Sequence, residues 1–162
     1  MRPELERAIR GMTSGHSTAP DWQGRARAIG GGAEAPAILV VDDDSDVRDV
    51  AISVLADAGF AVWAASGAID AISLLEEHQE IALMFTDVVM PGLDGLMLAD
   101  MAVLRRRDLK VVYTTGYAAA AHRQPGYRYG PLLSKPYRPS DLERMIVREL
   151  AQPNGSRQMW TP

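Results

Sequence analysis

From Ala37 onward the chain alternates between two textures. Ile38-Leu39-Val40-Val41 is a charge-free, β-favouring run of the kind buried on both faces of a parallel sheet. Asp46 to Ala58 then places Val47, Val50, Val54 and Leu55 at helical spacing, and Gly59 stands where a helix C-cap glycine belongs. Phe60 to Ala64 reads as a second strand. Ala68 to Gln79 reads as a second helix through Ile69, Ile72 and Leu75, followed by a third strand at Ile81 to Phe85 and a loop holding Pro91 and Gly92. Leu96 to Arg106 predicts a helix and Val111 to Tyr113 a strand. Ala118 to Ala121 predicts a weak fourth helix that Pro125 and Gly126 stop early. Leu132-Leu133 is a short fifth strand. Ser140-Asp141-Leu142-Glu143 reads as a capping box opening a last helix, with Leu142, Ile146, Val147 and Leu150 inward.

Residues 1–36 break this rhythm. They hold six glycines and three prolines, with apolar periodicity only at Leu5, Ile9 and Met12, and predict a flexible extension with at most one short helix. The expected organisation is therefore an N-terminal extension (1–36), one domain (37–151) and a short tail (152–162). Strands alternating with helices predict an α/β, doubly wound parallel sheet of five strands with right-handed crossovers. Eight units would be needed for a closed barrel, and no glycine-rich phosphate loop follows the first strand.

Composition narrows the class. The 162 residues suit one domain, and 47% hydrophobic with 23% charged residues excludes general disorder. The longest runs without Asp, Glu, Lys or Arg, such as Val111 to His122, reach 12 residues, too few to cross a bilayer. Arg2, Glu4, Glu6, Arg7 and Arg10 come with no apolar block behind them, so a secretory signal is not expected and a cytoplasmic address is. The absence of cysteine agrees and removes thiolate chemistry. A net charge of -4 argues against a nucleic-acid partner, and the ten residues after Gln152 are too few for a DNA-reading helical module.

In an open parallel sheet, ligands gather at the carboxyl ends of strands near the point where strand order reverses. Four predicted ends carry polar groups. The first runs into Asp42, Asp43 and Asp44, the third into Asp87, the fourth into Thr114 and Thr115, and the fifth into Ser134 and Lys135. The second ends in Ala64-Ala65, as a sheet order 2-1-3-4-5 with strand two outside would require. Carboxylates gathered in one crevice repel one another unless a hard divalent cation joins them, and Mg2+ suits one or two carboxylates completed by water and phosphate oxygens. A lysine and a hydroxyl opposite are the groups that would surround a transferred phosphoryl. Asp87 would then be nucleophile as well as ligand, forming an aspartyl phosphate.

At this point the sequence resembles the receiver domain of two-component response regulators, from about Ala37 to Ala151. The matching pieces are Val40-Val41-Asp42-Asp43, Asp87-Val88-Val89-Met90-Pro91-Gly92-Leu93-Asp94-Gly95, Thr115-Gly116 and Lys135-Pro136-Tyr137. The resemblance implies a flavodoxin-like receiver fold, a two-component phosphorelay function without turnover of an external substrate, and a histidine kinase or phosphotransfer protein as partner. It implies Asp87 as phosphoacceptor, Asp43 as direct Mg2+ ligand, Asp42 as an acidic partner acting partly through water, and Val89 as donor of its backbone carbonyl. Thr115 resembles the hydroxyl that moves toward the phosphoryl and Lys135 the lysine that pairs with it, with a cis bond to Pro136. Where such receivers often carry an aromatic residue three positions before the lysine, this chain has Leu132; Tyr117 could substitute. The weak fourth helix makes the dimer face common in such receivers unreliable, and a monomer is favoured.

Blander readings stand beside these. Asp42 to Asp44 could be only the solvated acidic start of a helix, Thr114 a packed strand residue, and Asp94-Gly95 a turn and helix start. His16, His78 and His122 read as surface residues, and Arg105-Arg106-Arg107 as cations suited to a helix C-terminus. A rival of another class is a haloacid-dehalogenase-like phosphatase with Asp42 as nucleophile and Asp44 as acid; no cap insertion follows the first strands. A third reading is an interaction module that keeps only the fold.

Overall fold

The computed structural model describes residues 36–116 and 127–153. β1 (Ala37–Val41) is buried along its whole length, as its unbroken apolar run requires. It pairs on one side with β2 (Ala61–Ala65) and on the other with β3 (Ile81–Asp87). β4 (Lys110–Thr115) and β5 (Leu132–Ser134) continue the sheet, so all pairs are parallel in the order β2-β1-β3-β4-β5, the predicted one. The predicted extension, the helix at Ala118 to Ala121 and Tyr117 lie outside the described residues.

Because strand side chains alternate, β1 splits the core into two layers. Leu39 and Val41 pack with Trp63, Met84, Val111 and Tyr113 beneath α2 (Ala68–Glu77) and α3 (Gly95–Arg105). Ile38 and Val40 pack with Val62, Leu83, Phe85 and Val112 beneath α1 (Ser45–Asp57) and α4 (Pro139–Ala151). Each fully buried Leu, Ile or Phe contributes about 1.5–3 kcal/mol, so most stability resides in these two layers. No helix among the described residues is long and apolar enough to cross a membrane.

Helix faces keep the predicted Leu55, Leu75, Leu142 and Ile146 but exchange some bulky stripe positions for their neighbours. On α1 the buried stripe is Arg48, Ala51, Ile52 and Leu55, and Val50 is 57% exposed. On α2 it is Ala68, Ala71 and Leu75, and Ile69 is 77% exposed. Alanines let these helices approach the sheet closely, which turns the bulkier neighbours outward. On α4, Leu142 and Ile146 are buried and Leu150 packs at the margin, whereas Val147, predicted inward, is half exposed.

Ends follow local chemistry. Asp44 caps α1, its carboxylate accepting from the N–H groups of Asp46 and Val47 at 3.0 and 3.2 Å. At the other end Gly59, at φ 94°, donates to Ala56 O while Phe60 donates to Leu55 O, a Schellman closure. Asp94 caps α3 through the Met97 N–H at 2.8 Å. α4 opens earlier than the predicted Ser140 cap. Arg138 is the N-cap and Pro139, with its preset φ, takes the first turn, while the Asp141 carboxylate accepts from the Arg138 N–H at 3.4 Å.

Candidate functional site

Parallel strands bring all their carboxyl ends to one edge of the sheet. There β1 delivers Asp42 and Asp43, β3 Asp87, β4 Thr115 and β5 Lys135, while β2 lies outside and offers only the Ala65 carbonyl, which accepts from the Asp42 N–H at 3.3 Å. Asp42 and Asp87 are 3% and 7% exposed. The Lys135 ammonium bridges them, with Nζ 2.8 Å from Asp42 Oδ2 and 2.8 Å from Asp87 Oδ2. The remaining carboxylate oxygens accept from backbone: Asp42 Oδ1 from the Asp44 N–H at 3.0 Å and Asp87 Oδ1 from the Val89 N–H at 3.1 Å.

One carboxylate oxygen from each of Asp42, Asp43 and Asp87 falls within 4.8 Å of the others. Three carboxylates against one ammonium leave two negative charges, a deficit a divalent cation removes, and an all-oxygen donor set fits Mg2+ by hardness. The protonation balance shows the strain. Burial pushes the Asp42 carboxyl above its ordinary value despite the Lys135 and Asp44 hydrogen bonds, and the Asp87 charge adds to the rise. Burial opposes the Lys135 charge, but the hydrogen bonds to Asp42 and Asp87 outweigh it and hold that pKa above the usual lysine value.

Thr115 is buried, and its carbonyl accepts from the Lys135 N–H at 2.9 Å, which ties the lysine's backbone to β4. The Lys135-Pro136 bond is cis, as the resemblance implied. Val89 sits at the rim with its side chain half exposed. Leu132 is half-buried and lies in register with Tyr113 on β4. Asp44, the acid of the phosphatase alternative, spends its carboxylate on the α1 cap. Thr114 packs in the strand, buried.

Two neighbours have roles the sequence did not show: Gly95, quoted only as the end of a matching motif, and Arg48. Gly95 begins α3 so close to β3 that a Cβ there would stand 2.0 Å from the Asp87 carbonyl oxygen, and its N–H donates to Val88 O at 2.9 Å. The Asp94-Gly95 pair signals a helix start, but nothing in it signals contact with Asp87. Arg48 is buried on α1, and its Nη1 donates to the Asp42 carbonyl at 2.6 Å. A cation in the first half of a helix, against the dipole, is the signal that could have marked it.

Comparison with known proteins agrees with this arrangement. Residues 38–147 match the family model described as response regulator receiver domain. A curated relative, the response regulator receiver protein CpdR of Brucella abortus, is 36% identical over 115 residues, 70% of this chain and 95% of that protein. The sensor kinase CckA of Brucella abortus is 30% identical over 116 residues, 70% of this chain but 12% of the kinase. The crystal structure of a response regulator receiver protein from Sinorhizobium medicae superposes with a TM-score of 0.66 at 30% identity, covering 74% of this chain and 97% of that one. With fold, acidic crevice, bridging lysine and these matches in agreement, the chain belongs to the response regulator receiver domain family.

Proposed function

We propose that the chain accepts a phosphoryl group onto Asp87 from a phosphohistidine of a histidine kinase or phosphotransfer protein, and signals by docking another protein or passing the phosphoryl onward. The observation that carries this reading is the Lys135 bridge, which places one ammonium 2.8 Å from both Asp42 and Asp87 with Asp43 alongside. An Asp87 carboxylate oxygen attacks the phosphorus in line. The new O–P bond forms as the P–N bond to the donor imidazole breaks, and the imidazole nitrogen keeps the electron pair and takes up a proton. Lys135, already at Asp87 Oδ2, pairs with a phosphoryl oxygen, and the Thr115 hydroxyl from the next strand supplies a further donor.

Asp43 and Asp87, with Asp42 partly through water and the Val89 carbonyl, would hold Mg2+, which when bound neutralises charge on the phosphoryl oxygens. Arg48 and Gly95 fix the backbone on either side. A kinase partner fits the receiver-like segment in CckA, and a cytoplasmic setting fits that exchange.

Phosphoramidate supplies the same P–N bond as phosphohistidine. With Mg2+ it should add one phosphoryl group to the parent chain and none to Asp87→Asn. Label that persists in Asp87→Asn and vanishes in Asp42→Asn would instead favour the phosphatase alternative.

A further inference from the structure

Of the six polar or charged residues buried among the described residues, five lie on the strand ends or strands that form the crevice: Asp42, Thr86, Asp87, Thr114 and Thr115. The sixth, Arg48, is the exception. It is 7% exposed on the first half of α1, where a cation opposes the helix dipole and burial costs it hydration. Its guanidinium reaches back six residues to the Asp42 carbonyl, 2.6 Å from Nη1.

That contact completes the fixing of Asp42. Its N–H is held by Ala65 O, its Oδ1 by the Asp44 N–H and its Oδ2 by Lys135, so the carbonyl is the remaining polar group, and Arg48 holds it. The carbonyl belongs to the peptide that joins Asp42 to Asp43. Asp43 is exposed, and among the described residues no hydrogen bond holds its side chain. What the fold controls is therefore the backbone from which the Asp43 side chain projects, and Arg48 is the contact that ties that backbone to α1.

We propose that Arg48 is a positioning residue for the cation site: by clamping the Asp42–Asp43 peptide it aims the Asp43 carboxylate into the crevice beside Asp42 and Asp87. This rests on the phosphoacceptor reading and adds a residue to it. A guanidinium on the Asp42 carbonyl has two opposed effects on a cation bound at the neighbouring carboxylates. Its charge repels the cation, and its hydrogen bond preorganises the ligands. The clamp prevails in this account, because outer-shell partners of metal ligands typically contribute about 10- to 100-fold in affinity, whereas a charge of the same sign acts through partly solvated surroundings.

The test is Mg2+ titration by calorimetry on the full chain, for the parent, Arg48→Met, Arg48→Gln and Arg48→Lys, with thermal unfolding of each. The expected result is a dissociation constant about 10-fold weaker in the Met and Gln variants. Lys, which keeps a long cationic donor, should restore affinity close to that of the parent. Labelling of Asp87 by acetyl phosphate should recover in the weak variants as Mg2+ is raised. Adding Asp43→Asn should remove most of the difference between Arg48→Met and the parent. If Arg48→Met does not fold, Arg48→Gln is read the same way. Unchanged or tighter Mg2+ binding in folded Met or Gln variants overturns the proposal, whatever their melting temperature. A parent chain that binds no Mg2+ overturns the phosphoacceptor reading together with it.

Discussion

At Asp42 two demands meet, since burial favours the neutral acid and the crevice needs the anion. Its folded pKa lies above the ordinary 3.8 because burial outweighs the Lys135 and Asp44 hydrogen bonds. A carboxyl with a raised folded pKa binds its proton more tightly folded than unfolded. Its contribution to stability is therefore present below 3.8 and is lost as pH rises from there through the folded value. This is the reverse of an ordinary salt-bridged carboxylate. Asp42→Asn should be more stable than the parent at pH 7 without metal, and the gap should close as pH is lowered toward 4. Urea unfolding of both chains across that range checks it; a variant less stable than the parent at pH 7 would show that ionised Asp42 stabilises the fold. The Asp residues and Lys135 could be singled out in the sequence because charged groups are unusual at the ends of buried strands, and Thr115 through the Thr115-Gly116 match. Arg48 could not, and Gly95 stood only as the end of a matching motif, because what matters is the backbone carbonyl each one meets.

Among the elements, joints matter as much as faces. The Arg106 guanidinium, just past α3, donates to the carbonyls of Leu75, His78, Gln79 and Ile81 at 3.4, 3.2, 3.0 and 2.6 Å. It closes the C-terminal turn of α2 and binds it to the start of β3, the strand that ends in Asp87. Hydrogen bonds from charged donors contribute about 1.5–3 kcal/mol, and this group is partly solvated, so Arg106→Met should cost about 2 kcal/mol and speed amide exchange at His78 to Ile81. Arg106→Lys should recover little, since an ammonium cannot fork across four carbonyls. Exchange at those amides that is unchanged in Arg106→Met would refute the joint. In the sequence this arginine reads as one of three cations at a helix end. The same limit explains the exchanged positions on the helix faces. Periodicity weights bulky Val50 and Ile69, whereas close packing on the sheet selects Ala51, Ala68 and Ala71. Strand count and order were legible because charge-free runs and loaded strand ends are properties of the chain itself.

For the whole molecule, the crevice exists only when the sheet does. Lys135 meets Asp42 across 93 positions and Asp87 across 48, so its geometry depends on every strand between being in register. A cation that binds this arrangement and not the unfolded chain must stabilise the fold, by about 2.7 kcal/mol at a concentration 100 times its dissociation constant. Mg2+ should accordingly raise the melting temperature of the parent, and Asp43→Asn should lose that rise. An equal rise in Asp43→Asn would place the cation elsewhere.

The central claim is that Asp87 carries the phosphoryl group, and chemical trapping tests it most directly. The full chain is treated with acetyl phosphate and Mg2+, reduced with borohydride, which converts an aspartyl phosphate to homoserine, and digested for peptide sequencing by mass spectrometry. Homoserine at position 87, absent when Mg2+ is chelated, is the predicted result. Homoserine at position 42 or 43 instead, or none at 87 despite full Mg2+, would contradict the account.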